Sequence, residues 1–299
     1  MSHLRWQHRP ELRRPVLLTA FEGWNDAGES ATTALRYLAR SLDATAFATI
    51  EAEDFYDFTV ARPQVRLDPE PAAPGGSSGG AEPIRRIDWP EPVFEVARTP
   101  SGRDVLFLTG VEPALKWRSF TSLVVDACQE LEVDLVISMG ALLADVPHTR
   151  PVQVRGTSAD DELIAEHGFS RSRYEGPTGI LAVLVEACRA AGMRSASLWA
   201  TTPHYLRETA SPKAALALVE RICRMFDFCL DTTDLEIAAS AYERQVDDML
   251  AGEEDVADYV RGLEEAVVAE DEDVELPSQD ALAAEVERFL RDQRGSPGD

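Results

Sequence analysis

The run Leu135–Met139, LVISM, has no charge and no regular alternation of apolar with polar residues. At five residues it is too short for a buried helix, and it reads as a strand covered on both faces. Strands of that kind belong to parallel sheets with helices packed on each side. Similar short runs occur at Pro15–Ala20, Arg103–Thr109 and Arg194–Ala200. Between them lie segments with helical spacing, such as Ala34, Leu35, Leu38 and Leu42, or Leu123, Ala127 and Leu131. Six or seven strands alternating with helices predict an α/β chain folded as a three-layer α/β/α sandwich.

Local signals sharpen this reading. Asp26 with Glu29 three positions later has capping-box spacing for the first helix. Ala44–Ala52 is then a second strand, which predicts a parallel pair with the first. Thr99-Pro100-Ser101-Gly102 signals a hairpin between strands at Pro92–Ala97 and Arg103–Thr109. Ser119 is the expected cap of a helix over 119–131, and Ser211, followed by Pro212, of a helix to Phe228. Pro177 fits the first position of a helix that Gly192 ends. Ser158–Glu166 is a short acidic helix stopped by Gly168.

The chain divides by composition. Residues 1–14 form a polar, basic arm, and residues 15–230 the α/β/α body. Within that body, residues 68–83, DPEPAAPGGSSGGAEP, cannot contribute to a core and read as a disordered insertion. Residues 231–299 are a helical C-terminal segment, with helices expected at Asp234–Leu250, Asp255–Val268 and Ser278–Arg291. The net charge is −24. The last 69 residues hold 22 acids and five bases, so −17 of it lies there and −7 in the first 230. A nucleic-acid partner needs a basic footprint, and this distribution offers none. The acidic segment suits solubility or a basic partner surface. No run nears the ~18 apolar residues of a membrane span, nor the apolar core of a signal peptide. Cys128, Cys188, Cys223 and Cys229 each fall in an expected helix and read as free thiols of a reducing compartment, the cytoplasm.

Chemistry could lie only in the polar loops that follow buried strands: FEGWNDAG, GVEPALKWR, ADVPHTRP and TPHY, with YEGPTG before a helix. Loops after parallel strands emerge on one sheet edge. Glu22, Trp24, Asn25, Asp26, Lys116, Trp117, Arg118, Asp145, His148, Arg150, Tyr174, Glu175, His204 and Tyr205 could therefore converge. In an enzyme, His148 or His204 would be the base, oriented by Asp145 or Glu175. Arg118 or Lys116 and the amides of Gly176–Gly179 would then hold an anionic ligand of nucleoside or phosphate type. Alternatively the same residues knit loops together, with the histidines packed under Trp24 or Trp117. The sequence lacks the G-x-S-x-G, P-loop, dinucleotide-binding and H-E-x-x-H motifs. No metal or cofactor site is expected.

Six stretches resemble the proteasome assembly chaperone 2 family. They are EGWNDAG (22–28), GVEPALKWRSF (110–120), GALLADVPHTRPVQVRGT (140–157), YEGPTGI (174–180), SLWATTPHY (197–205) and SPKAALAL (211–218). The resemblance spans roughly residues 15–230, and the acidic helical C-terminus is similar to the family's bacterial branch. It implies a phosphorylase/hydrolase-like α/β/α sandwich and homo-oligomers, trimers among them. It further implies binding to proteasome subunits without an established enzymatic activity. Some archaeal members dock through a C-terminal hydrophobic-Tyr-any tail, whereas this sequence ends QRGSPGD.

Overall fold

A computed structural model describes residues 3–68, 84–251 and 254–269. In chain order the elements are β1 (Leu4–Trp6), β2 (Val16–Glu22), α1 (Ser30–Ser41), β3 (Thr45–Ile50), β4 (Gln64–Asp68), β5 (Ile84–Asp88), β6 (Val93–Arg98), β7 (Asp104–Val111) and α2 (Trp117–Glu130). They continue with β8 (Leu135–Ala144), β9 (Val154–Ser158), α3 (Asp161–His167), α4 (Ile180–Ala190), β10 (Ser195–Pro203), α5 (Pro212–Met225), α6 (Thr233–Leu250) and α7 (Glu254–Ala269).

Eight strands form one sheet in the order β1-β3-β6-β7-β2-β8-β10-β9. The middle four, β7, β2, β8 and β10, run parallel. The pairs outside them are antiparallel. Strand alternation separates two cores. Val16, Leu18 and Ala20 of β2 join Leu135, Ile137 and Met139 of β8 against α1 and α5. Leu17 and Phe21 join Leu106 and Leu108 of β7 against α2 and α4. These are the two helix layers expected of the sandwich. On the α2/α4 face of β8, two small residues replace apolar ones for stated reasons. Ser138 is fully buried and shares a 2.8 Å hydrogen bond with the Ser197 hydroxyl of β10. Gly140 makes room for Trp199, whose ring would lie 2.5 Å from any Cβ placed there.

Several local expectations change. The first two long strands do not pair, because the β6–β7 hairpin, turned at Gly102 (φ +86), is inserted between β3 and β2. The hairpin β4–β5 was not foreseen; it pairs Val65 with Ile87 and Leu67 with Arg85, all four exposed. Asp26 does cap α1, but across a 3-10 turn: its carboxylate accepts from the Ala31 N–H at 2.6 Å and the Thr32 N–H at 3.2 Å. Glu29, at φ +50, takes the N-cap position and forms no capping box. α2 starts at Trp117 rather than at a Ser119 cap, with Lys116 in the left-handed region at φ +52. α4 starts at Ile180 with Gly179 as its cap, so Pro177 lies in the loop before it, where its carbonyl accepts from the Tyr174 hydroxyl at 2.7 Å.

Other signals hold. Ser211 Oγ accepts from the Ala214 N–H at 3.3 Å and Pro212 opens α5. Gly168, at φ +67, ends α3 as expected, but the helix starts at Asp161 with Asp160 as its cap, because Ser158 belongs to β9. The four cysteines are free, but Cys229 is exposed beyond the end of α5, outside any helix. α6 and α7 match two of the three expected C-terminal helices; Ser278–Arg291 lies outside the described residues, as does the insertion beyond Asp68. Among the described residues, no helix is long and apolar enough to cross a membrane.

Candidate functional site

The parallel strands β7, β2, β8 and β10 end at one edge, and the loops that follow are laced together there. The Ala141 N–H donates to Asn25 O, the Ser211 N–H to Gly28 O and the Glu112 N–H to Glu22 O, each at 2.8 Å. The loops after β2, β7, β8 and β10 therefore form one rim, as their positions after parallel strands predict. Their side chains, however, sort into two clusters and a periphery.

The first cluster centres on Glu112, at the end of β7. Its Oε1 accepts from the Asn25 amide at 2.7 Å and from the Ile180 N–H at 2.8 Å. The Trp24 N–H is a further donor to the same carboxylate. Glu112 thus serves as a cap for α4, reaching it from another loop, since Gly179 has no side chain to do so. Asn25 is buried against Gly179, where a Cβ would lie 2.2 Å from its Nδ2. Burial raises the pKa of both Glu112 and Asp26, and the hydrogen bonds they accept pull it back down.

The second cluster centres on His148, which is 4% exposed. The Tyr205 hydroxyl accepts from the His148 N–H at 2.9 Å and lies 2.8 Å from Nδ1. A carboxylate only accepts, so Nε2–H donates to Asp247 of α6 at 2.9 Å, and in the neutral ring Nδ1 is left to accept from the Tyr205 hydroxyl. The arrangement is a carboxylate–imidazole–hydroxyl relay in form. Burial, however, pushes the Tyr205 hydroxyl up to about 12, so it is a poor nucleophile near neutrality. Lys213 donates to His148 O at 2.6 Å and pairs with Glu243, also on α6. His204 sits 3.0 Å from Asp145, and the Tyr259 hydroxyl of α7 donates to that carboxylate at 3.4 Å. His204 Nδ1 makes no hydrogen bond of sound geometry there. Thr149 donates to Glu264 of α7.

The remaining candidates stand apart. Glu22 pairs with Arg36 and Lys116 with Asp54. Trp117 donates to Pro113 O. Arg118 lines a shallow groove with His3 and Ser122. Arg150 and Glu175 are exposed, and Tyr174 and Trp24 are half-buried. The imidazoles meet Tyr205 and Tyr259 edge to face instead of packing under Trp24 or Trp117. Of the base–carboxylate pairs considered, only His204 with Asp145 meets; His148 takes Asp247. Among the described residues, no three His, Cys, Asp or Glu side chains gather as metal ligands.

Glu112 had a signal, being a carboxylate directly after a buried strand in GVEPALKWR. Asp247 had none: it is one of 22 acids in the C-terminal quarter, about a hundred positions from its partner.

A mixed α/β sheet carrying this rim of loop motifs is the architecture of the PAC2 family, and the chain belongs to that family: its profile matches residues 20–250. Among solved structures, a PAC2 family protein from Streptomyces avermitilis is 43% identical, with a TM-score of 0.73 over 82% of this chain and 99% of that one. A proteasome-assembly chaperone homologue from Mycobacterium tuberculosis is 38% identical, with a TM-score of 0.70 over 82% and 99%. An archaeal proteasome activator from Pyrococcus furiosus has the same fold at 17% identity, TM-score 0.65, over 83% and 99%. No curated protein matches the chain.

Proposed function

We propose that this chain is a non-catalytic, homo-oligomeric chaperone of the cytoplasm that assists assembly of the proteasome core by binding its subunits. The observation that carries the reading is the state of His148. A general base needs a nitrogen free to meet substrate. Both nitrogens of His148 are engaged, one by Tyr205 and one by Asp247, in a buried setting. Glu112 and Asp26 are likewise spent on helix N-termini. What the rim leaves exposed, Arg118, Arg150 and Glu175 with part of Trp24, is suited to contact rather than turnover. The 38% identical relative named as a proteasome-assembly chaperone homologue supports the same partner class.

The test is co-expression of the full chain with proteasome α- and β-subunits, followed by native electrophoresis. A complex with α-subunits and faster appearance of assembly intermediates are the expected results. No complex, with assembly unchanged, overturns the proposal. Light scattering after size exclusion tests self-association; a monomer at micromolar concentration overturns that part.

A further inference from the structure

Between the β8–β9 loop, the end of β10 and the starts of α5 and the middle of α6 lies a cavity of about 350 Å³. Sites for small molecules begin at about 300 Å³. Its apolar wall comes from Val152 and the prolines Pro147, Pro151 and Pro203. Its polar lining is rich in donors. Tyr242 is 6% exposed and closes the cavity on the α6 side. Gln153 has its oxygen taken by Arg155 at 3.2 Å, which leaves its amide N–H groups. Lys213 spends two protons on His148 O and Glu243 and keeps a third. Arg150 lines the mouth and, among the described residues, has no carboxylate partner.

Glu243 offsets the charge of Lys213, so Arg150 is the uncompensated charge of the lining. A donor-rich lining is met by acceptors, and an unpaired guanidinium by an anion held in bidentate fashion. The proline and valine wall selects the rest of the ligand. We propose that the cavity binds a small organic anion, a carboxylate or phosphate carried on an apolar body. It is a different place from the α2 groove of Arg118, and it does not depend on a chaperone role.

Calorimetry and thermal shift on the full chain test this with benzoate, adenosine monophosphate and inorganic phosphate, against the neutral benzamide and adenosine. Benzoate or adenosine monophosphate is expected to bind and raise Tm, with the neutral counterparts without effect; which of the two binds more tightly separates carboxylate from phosphate. Arg150→Ala, at an exposed position, is expected to weaken binding about 10- to 100-fold, the loss of one charge-assisted contact. Anionic probes that bind no better than their neutral counterparts overturn the proposal. So does wild-type affinity in Arg150→Ala.

Discussion

Glu112→Ala is the sharpest probe of the rim. The substitution leaves three donors without their acceptor: the Asn25 amide, the Ile180 N–H and the Trp24 N–H. Ile180 is 0% exposed and Asn25 2%, so water cannot readily replace the carboxylate there, whereas half-buried Trp24 can recruit it. Two orphaned donors at about 1–3 kcal/mol each set a gross cost of about 2–6 kcal/mol. Removing a carboxylate that is itself poorly solvated returns part of this, leaving a net loss of about 2–4 kcal/mol. Urea denaturation at pH 7, followed by tryptophan fluorescence, measures it. A loss below about 1 kcal/mol would refute the idea that Glu112 holds the loops to α4. The sign of the pH dependence is a second check. Burial raises the Glu112 pKa, so the folded state keeps its proton longer than the unfolded chain. Its contribution is full below the ordinary glutamate range and is lost as pH rises through the raised value. Glu112→Gln has no such titration. The stability of wild type relative to Glu112→Gln should fall as pH rises from the ordinary glutamate range, and a rise would contradict the assignment.

Three further outcomes are expected. Gly179→Ala places a Cβ 2.2 Å from Asn25 Nδ2 at a backbone φ of −101° that alanine adopts freely, so its cost is steric, about 2–4 kcal/mol in denaturation; a change within about 0.5 kcal/mol would remove the close contact from the account. Tyr205, raised to about 12 by burial, favours folding below pH 10 and loses that contribution as pH climbs through 12. Absorbance titration near 295 nm should show a late-ionising tyrosine that Tyr205→Phe deletes, and identical curves would refute it. Asp247→Ala orphans the buried His148 Nε2–H at about 1–3 kcal/mol and loosens α6. Limited proteolysis should then cut α6 sooner than in wild type, and an unchanged digestion pattern would deny Asp247 that role.

What the sequence made legible was governed by period and by local chemistry. The apolar runs of β2, β7, β8 and β10 named the parallel centre, because strands covered on both faces tolerate few polar residues. Ser211-Pro212 and Gly168 marked helix ends because caps act within a few positions. Pairing order was not legible. β2, α1 and β3 read as one right-handed unit, yet the hairpin at Thr99–Gly102 placed two strands between them. Helix starts at Lys116 and Gly179 escaped for a related reason: one residue takes a left-handed φ, and the other borrows its cap from Glu112. In the rim, the motifs gave the participants but not their partners. His148 finds Asp247, and Lys213 finds Glu243, across distances in the chain that no local rule spans.

Those distant partners change what the acidic segment is. A surplus of 17 negative charges in the last 69 residues reads most simply as a solvated tail. Yet Asp247, Glu243 and Glu264 are each committed to a group on the rim, and Leu235, Tyr242 and Val246 are buried beneath them. α6 packs on α5 and completes the His148 relay, so part of the charge is structural. Surface pairs alone would hold such a helix weakly. A buried imidazole bonded at both nitrogens, to the Tyr205 hydroxyl and to Asp247, holds it with direction. The loops that carry the motifs are therefore also the seat on which α6 and α7 rest, through Asp247, Glu243 and Glu264.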